Sequence, residues 1–329
     1  MKNKIVELIA ANVEGLTAAE IADLIEIPPK PELGDFAFPC FRLAKTMRKA
    51  PQMIANDIKE AIGDVDFLQE IQVQGAYLNF FVKKELFIET MVTASMADDF
   101  GSSTEGNGQT ICIDYSSPNV AKNFHVGHLR TTIIGNSLYK IYSKLGYKVV
   151  RINHLGDWGT QFGKLIVAYK AWGSEEAVKK DGVAELMKLY VKFHEEAEKN
   201  PELNDEARAW FAKMEHGDEE ALKIWQWFKD ISLIEYKRTY DLLGMDFDYY
   251  LGESFYRDKT DDVVKRLTDA NLLTESEGAK IVNLDAYDMA PCLILKNDGS
   301  SIYATRDIAA IFYRKETYNF VKCLYVTGQ

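Results

Sequence analysis

The chain has 329 residues, of which 47% are hydrophobic and 27% charged, and it carries a net charge of −11 and four cysteines. That is the composition of a folded globular protein with apolar material for two cores, which excludes disorder and a disulfide-stapled miniature scaffold. The acidic balance gives no bulk attraction for nucleic acid or an anionic membrane, so any nucleic-acid contact must be a local patch.

Residues 1–106 read as a small α/β domain. Glu7 interrupts the first apolar stretch too early for a signal-peptide core. No apolar run approaches the roughly 20 residues that span a bilayer. Cys40, Cys112, Cys292 and Cys323 are scattered without metal-ligand spacing. The expectation is a cytoplasmic protein with no membrane attachment. Ile5, Leu8, Ile9 and Val13 recur at helical spacing, as do Ile21, Leu24 and Ile25. Pro28, Pro29 and Pro31 impose an extended loop. The spacing then predicts short helices near 43–47 and 53–62 and a strand over 75–82. The first hundred residues hold ten Lys and Arg against sixteen Asp and Glu. Arg42, Lys45, Arg48 and Lys49 form the one basic cluster there, either a solvated face or a set of phosphate contacts. The stretch 101–108 is rich in Gly, Ser, Thr and Asn and predicts a linker.

Residues 107–329 read as a second α/β domain. A β-type run over 110–115 ends in the loop Ser116-Ser117-Pro118-Asn119. A helix is expected from Val126, with Leu129, Ile133, Leu138, Ile141 and Leu145 on one apolar face and Gly146 as its stop. Residues 148–152 form the next strand. Strand, helix and strand make a βαβ unit, which binds nucleotides at the C-terminal ends of its strands. The stretch 174–243 is helical and heavily charged and looks inserted into the sheet domain. Its charges read as a solvated face, and Trp225, Trp227 and Phe228 as core. Further on, Asn297-Asp298-Gly299 signals a hairpin turn. Thr305 is expected to cap a helix running through Ile308, Ile311 and Phe312.

The chemistry concentrates in Pro118-Asn119-Val120-Ala121-Lys122-Asn123-Phe124-His125-Val126-Gly127-His128. With 5 His and 21 Gly in the chain, a His-x-Gly-His tetrapeptide arises by chance at roughly half a percent. Its place after a strand and at a helix start adds weight. Exposed N–H groups and the helix dipole favour an anion there. Two imidazoles one turn apart can donate to phosphate oxygens as charge develops. Gly127 leaves room for an adenine ring, and Lys122 puts a positive charge upstream. The competing reading makes both histidines helix-start residues bonded to nearby carbonyls. A second stretch, from Arg151 to Gly163, follows the second strand and faces the same crevice; it suits a binding surface, or a tight turn with Trp158 buried. A third set is Glu253, Tyr303 and Asp307. Two carboxylates and a tyrosine suit a guanidinium. From spacing alone, though, Asp307 reads first as an acid in the first turn of a helix, complementing the helix dipole.

These residues resemble the class I aminoacyl-tRNA synthetases, and within them the arginine-specific family. The carriers are SPNVAKNFHVGHLRTTIIGNSLYKIYSKLGY, INHLGDWGTQFGKL, WFAKMEHGDEEALKIWQWF, LGESFY and DGSSIYATRDIAA, with PELGDFAFPCFRLAK in the first domain. The resemblance implies a Rossmann-like (HUP-type) parallel-sheet catalytic domain with a helical insertion, preceded by a tRNA-contacting domain. It implies that L-arginine is activated by ATP to arginyl-adenylate and transferred to tRNA(Arg). Magnesium would travel with ATP, with no tightly bound cofactor and no separate metal site. It implies that His125, Gly127, His128 and Lys122 hold ATP, with His125, His128 and Lys122 catalytic. Asn119 and His154 would line the amino-acid side, and Glu253, Tyr303 and Asp307 would read the guanidinium. Arg42, Lys45, Arg48 and Lys49 become candidate tRNA contacts. A monomer is expected. The sequence given stops at Gly328-Gln329, before any KMSKS-like loop or anticodon-binding domain, so aminoacylation by this stretch alone is expected to be weak or absent. The rival readings are a related nucleotidyltransferase or ligase with the same motif and a non-catalytic tRNA-binding module.

Overall fold

The computed structural model describes residues 1–297 and 299–328, and its contacts divide the chain into two compact units, Met1–Gly101 and Ser102–Gln329. The first contains α1 (Lys2–Asn12), α2 (Ala18–Leu24), β1 (Phe36–Pro39), α3 (Leu43–Met47), α4 (Pro51–Ile62), β2 (Leu68–Gln74), β3 (Tyr77–Val82) and α5 (Lys84–Ser95). Its strands form an antiparallel sheet in the order β1-β3-β2. The apolar stripes of α1, α2 and α4 close on that sheet, burying Ile5, Ile9, Ile21, Ile54 and Ile58 with Phe80. Thr17 and Glu20 start α2 with a reciprocal capping box. Pro51 opens α4 where its missing N–H is not needed. Two strands escape the sequence reading. β1 is four residues long and ends in proline, and a bulge between Leu68 and Glu70 breaks the alternation of β2.

The second unit opens with β4 (Thr110–Asp114), α6 (Val126–Lys144), β5 (Lys148–Asn153) and α7 (Thr160–Trp172). Four helices follow: α8 (Glu175–Asp181), α9 (Val183–Lys199), α10 (Glu202–Glu215) and α11 (Glu219–Leu242). Then come β6 (Tyr249–Tyr250), a 3-10 segment (Glu253–Lys259), α12 (Thr260–Asp269), β7 (Leu273–Ser276), β8 (Ala279–Val282), β9 (Cys292–Leu295), α13 (Tyr303–Tyr318) and β10 (Lys322–Tyr325). The fold is α/β: a parallel sheet ordered β10-β4-β5-β6, with β7, β8 and β9 in a separate antiparallel sheet. β4, α6 and β5 make the expected crossover unit. Trp225 and Phe228 of α11 are buried in the main core with Trp158, and Trp227 packs at its edge.

Four local expectations need correction or restriction. The buried face of α6 is Thr132, Gly135 and Asn136, whereas Ile133 and Ile141 stay 40% and 54% exposed. The helix lies so close to the sheet that a Cβ on Gly135 would sit 2.2 Å from the Tyr115 ring, so only a small and polar stripe fits underneath. The stretch 101–108 is not a free linker. The N–H groups of Ser103, Gly106 and Gly108 donate to the carbonyls of Lys144, Leu145 and Gly146 at 2.9, 2.8 and 3.0 Å, filling acceptors left open at the end of α6. Thr305 does not cap α13 from outside. It is the third helical residue, and its hydroxyl accepts from Ile302 N–H at 3.4 Å while donating to the Ile294 carbonyl. In the Asn297-Asp298-Gly299 turn, Asp298 lies outside the described residues. Around it, Lys296 N–H donates to the Ser300 carbonyl at 3.0 Å and Leu295 bridges Ser301 antiparallel.

Candidate active site

The loops after β4, β5 and β6 gather at the C-terminal edge of the parallel sheet, where a nucleotide-binding crevice is expected. The loop after β4 is under backbone strain: Ser116, Ser117 and Ala121 all have positive φ, at 72°, 45° and 61°. What holds it is α11. Ser232 Oγ accepts from Ala121 N–H at 2.9 Å. Tyr236 Oη lies 2.6 Å from the Asn119 carbonyl and 2.8 Å from that of Lys122. Tyr240 Oη lies 2.7 Å from Ser116 Oγ and accepts from Asn153 Nδ2 at 3.0 Å. Three side chains at four-residue spacing on one helix thus pin the loop that leads to the histidines. Sequence reasoning missed them, although a Ser-Tyr-Tyr stripe at helical spacing was readable.

His125 is the N-cap of α6. Its Nδ1 accepts from Gly127 N–H at 3.1 Å, and His128 Nδ1 accepts from His125 N–H at 3.3 Å. The rings stack with centroids 3.9 Å apart. The partners are therefore backbone N–H groups, not the carbonyls of the competing reading. With each Nδ1 lone pair occupied, each neutral ring carries its proton on Nε2, a donor free to meet an anion. Burial, reinforced by His125, pushes His128 below the ordinary imidazole range. A Cβ on Gly127 would come within 2.9 Å of the His125 ring, so this glycine protects the cap whatever else it admits. Lys122 and Asn119 are exposed on the loop, and Asn119 bridges Gly156.

The loop after β5 divides its residues between structure and pocket. Trp158 is buried, edge-on to Trp225 at 5.4 Å, as the tight-turn reading expects. Asp157 is also fully buried. It accepts from Ser254 N–H at 2.8 Å and Ser254 Oγ at 2.7 Å, and pairs with Lys229 Nζ at 2.6 Å. That ties down the loop carrying Glu253. His154 faces inward.

The third set is brought together in part. Glu253 and Asp307 reach one cluster that also contains Asp114, Arg306, Arg314 and His154. Glu253 Oε2 accepts from Arg306 Nη2 at 3.1 Å, Asp114 Oδ2 lies 2.8 Å from Arg314 Nη2, and Asp307 Oδ1 lies 3.7 Å from His154 Nε2. Tyr303 stands apart, 67% exposed at the start of α13. Burial pushes His154 below its ordinary value, against the pull of Asp114, so this ring is neutral. Burial pushes Glu253 up, opposed by Arg306, and pushes Asp307 up, opposed by His154. More than half of the Asp307 side chain is exposed, so it remains open to a ligand. Three carboxylates thus face two guanidiniums and a neutral imidazole, leaving one negative charge at Asp307. Sequence reasoning found neither Arg306 nor Arg314. Among the described residues no group of three or more His, Cys, Asp and Glu could hold a metal, and no helix is long and apolar enough to cross a membrane.

Residues 91–329 match the family model described as tRNA synthetases class I (R), catalytic domain, and residues 3–82 match the arginyl tRNA synthetase N terminal domain. The chain is 57% identical over 328 residues to an arginine–tRNA ligase of Alkaliphilus metalliredigens and 56% identical over 330 residues to one of Clostridium perfringens. These alignments cover 99% and 100% of the chain and 58% of each relative, so the chain spans somewhat over half their length. Among solved structures it is similar to the arginyl-tRNA synthetase of Plasmodium falciparum, with a TM-score of 0.69 and 24% identity over 99% of this chain and 59% of that one. It is also similar to that of Thermus thermophilus, with a TM-score of 0.63 and 23% identity over 95% and 53%. These two likenesses speak to the fold.

Proposed function

The chain belongs to the class I arginyl-tRNA synthetase family, and from that premise we propose that it activates L-arginine with ATP and, within a protein of its relatives' full length, passes the arginyl group to tRNA(Arg). The observation that carries the amino-acid assignment is the charge balance around α13. Three carboxylates, two guanidiniums and a neutral imidazole lack one cation, and the guanidinium of arginine supplies it at Asp307. Glu253 completes the acceptor set once Arg306 shares it, and Tyr303 can swing its ring over the planar group.

ATP lies along the loop after β4. His125 and His128 direct their Nε2 donors at its phosphates, Lys122 neutralises charge, and Gly127 lets the nucleotide approach the start of α6. The magnesium arrives as part of the ATP complex. Asn119 and His154 align the arginine carboxylate for attack on the α-phosphorus. The P–O bond to pyrophosphate breaks as the mixed anhydride forms. No covalent enzyme intermediate is required, because positioning and charge stabilisation lower the barrier. In the second step a hydroxyl of the terminal tRNA ribose attacks the arginyl carbonyl and AMP leaves. Residues 1–106 serve as the tRNA-contacting domain through Arg42, Lys45, Arg48 and Lys49. Residues 107–329 serve as the catalytic domain, with the insertion over 174–243 bracing its nucleotide loop. A cytoplasmic monomer fits this role.

The test is calorimetric titration of arginine into the chain, with and without a non-hydrolysable ATP analogue, against citrulline and lysine. Citrulline keeps arginine's shape but not its charge; lysine keeps the charge but not the fork. Arginine alone should bind. Asp307→Asn should weaken it by about 30-fold or more, as loss of one partner of a desolvated charge pair costs about 2–5 kcal/mol and every 1.4 kcal/mol is tenfold. Equal binding of citrulline, or unchanged affinity in the variant, sinks the assignment.

A further inference from the structure

Arg314 projects from α13 into the ends of β4 and β5, with its side chain wholly inaccessible to solvent. One nitrogen serves two partners: Nη2 lies 2.8 Å from Asp114 Oδ2 and 3.2 Å from His154 Nδ1. A guanidinium has donors only and does not surrender a proton at any accessible pH. The contact with His154 therefore has a single sense: Arg314 donates, and Nδ1 accepts.

We propose that Arg314 is a positioning residue for amino-acid activation: anchored on Asp114, it locks His154 as the neutral tautomer with its proton on Nε2, and so aims one hydrogen-bond donor from the end of β5 into the pocket beside Asp307. His154 Nε2 is buried and has no hydrogen-bond partner among the described residues; Asp307 Oδ1, at 3.7 Å, is too far to accept well. A buried donor held open in this way is costly and is rare unless a ligand completes it. Tyr256, stacked on the imidazole at 5.5 Å and fully buried, fixes the ring plane and closes the far side. The missing acceptor is an anionic oxygen of the reactants: either the amino-acid carboxylate or a phosphoryl oxygen of the nucleotide.

The groups that face His154 set its protonation. Asp114 on β4, Asp307 on α13 and Asp157 in its own loop favour the imidazolium, whereas burial and Arg314 oppose it. Removing the Arg314 charge leaves the three acids unopposed. His154 then takes up a proton nearer neutrality, becomes a cation, and satisfies Asp307 in place of substrate.

This proposal rests on the reading of the pocket as the reactant site, but its first test does not. Long-range proton–nitrogen correlation NMR of the histidine-labelled chain resolves tautomers, and His154→Asn assigns the signal among only five histidines. Without ligand, His154 should show the Nε2–H form and stay neutral down through the ordinary imidazole value of about 6.5. In Arg314→Gln the lock should fail and the ring should titrate at or above that value. Arg314→Lys retains charge and the Asp114 anchor but loses the forked donor, and it should release the tautomer without raising the titration as far. The Nε2–H signal should then shift on adding arginine alone if the carboxylate is the acceptor, or only with the ATP analogue if the phosphoryl oxygen is. Either shift supports the proposal. An Nδ1–H tautomer in the unmodified chain, a locked tautomer that survives in both variants, or a signal that neither reactant moves overturns it. A locked tautomer in a chain that binds ATP analogue but not arginine overturns the substrate assignment and leaves the positioning role standing.

Discussion

Asp157 joins two loops nearly a hundred residues apart through one fully buried carboxylate. Asp157→Asn removes the charge that neutralises Lys229, whose side chain is 15% exposed. Breaking a buried pair from one side costs about 3–5 kcal/mol. Urea unfolding should register a loss of that order, and arginine affinity should fall because Glu253 is no longer held; a variant as stable as the parent would show the pair to be dispensable. The pH dependence of binding is another consequence at this scale. The folded pKa of Asp307 is raised, so the protonated acid favours the empty fold below the unfolded value of about 3.9, and that preference is lost as pH rises through the folded value. In the proposed pocket arginine pairs with the ionised form. Its affinity should therefore fall as pH drops through that window, and proton release should accompany binding there, both read by calorimetry in buffers of different ionisation enthalpy. His154 has the opposite sign: its folded pKa is depressed, so its contribution to stability grows as pH rises from the folded value toward about 6.5. His125 and His128 are legible as candidates because local pattern marks them, whereas Asp307 enters the candidate site only through the family resemblance, its spacing alone favouring a helix-dipole acid. Arg306 and Arg314 were not legible, since nothing in the sequence places their heads against Glu253 and His154.

At the scale of elements, the most consequential contact is between α11 and the strained loop after β4. Tyr236→Phe removes only the hydroxyl that faces the Asn119 and Lys122 carbonyls. The stability cost should be about 1 kcal/mol. The ATP analogue should nevertheless bind more weakly, because the loop can relax from its positive φ values before the ligand arrives. Unchanged nucleotide affinity in a folded Tyr236→Phe variant would show that the loop is set by its own sequence. The crossover unit β4, α6 and β5 was legible because strand and helix periodicities switch cleanly there. The burial of α6 was misread for a physical reason: contact with Tyr115 demanded small residues, so the conspicuous isoleucines point outward. β6 has only two residues and β7, β8 and β9 four each, too short for alternation to show.

At the scale of the whole molecule, the contacts divide the chain into two units, each with buried apolar clusters of its own. The role of the first unit is decided by charge, not packing. Arg42, Lys45, Arg48 and Lys49 are all exposed around α3, and Lys49 already meets Asp57 at 2.5 Å. In a chain of net charge −11, phosphate contacts there must act locally, and the two readings of the cluster differ in salt dependence. Each phosphate engaged adds about 0.7–0.9 to the slope of log affinity against log salt. Replacing Arg42, Lys45 and Arg48 together by alanine should lower that slope for tRNA(Arg) by about two to three, with arginine and ATP affinity unchanged because the proposed reactant site is built entirely from residues of the second unit. If the slope does not move, the cluster is a solvated face, and the proposed tRNA-contacting role of residues 1–106 loses its support.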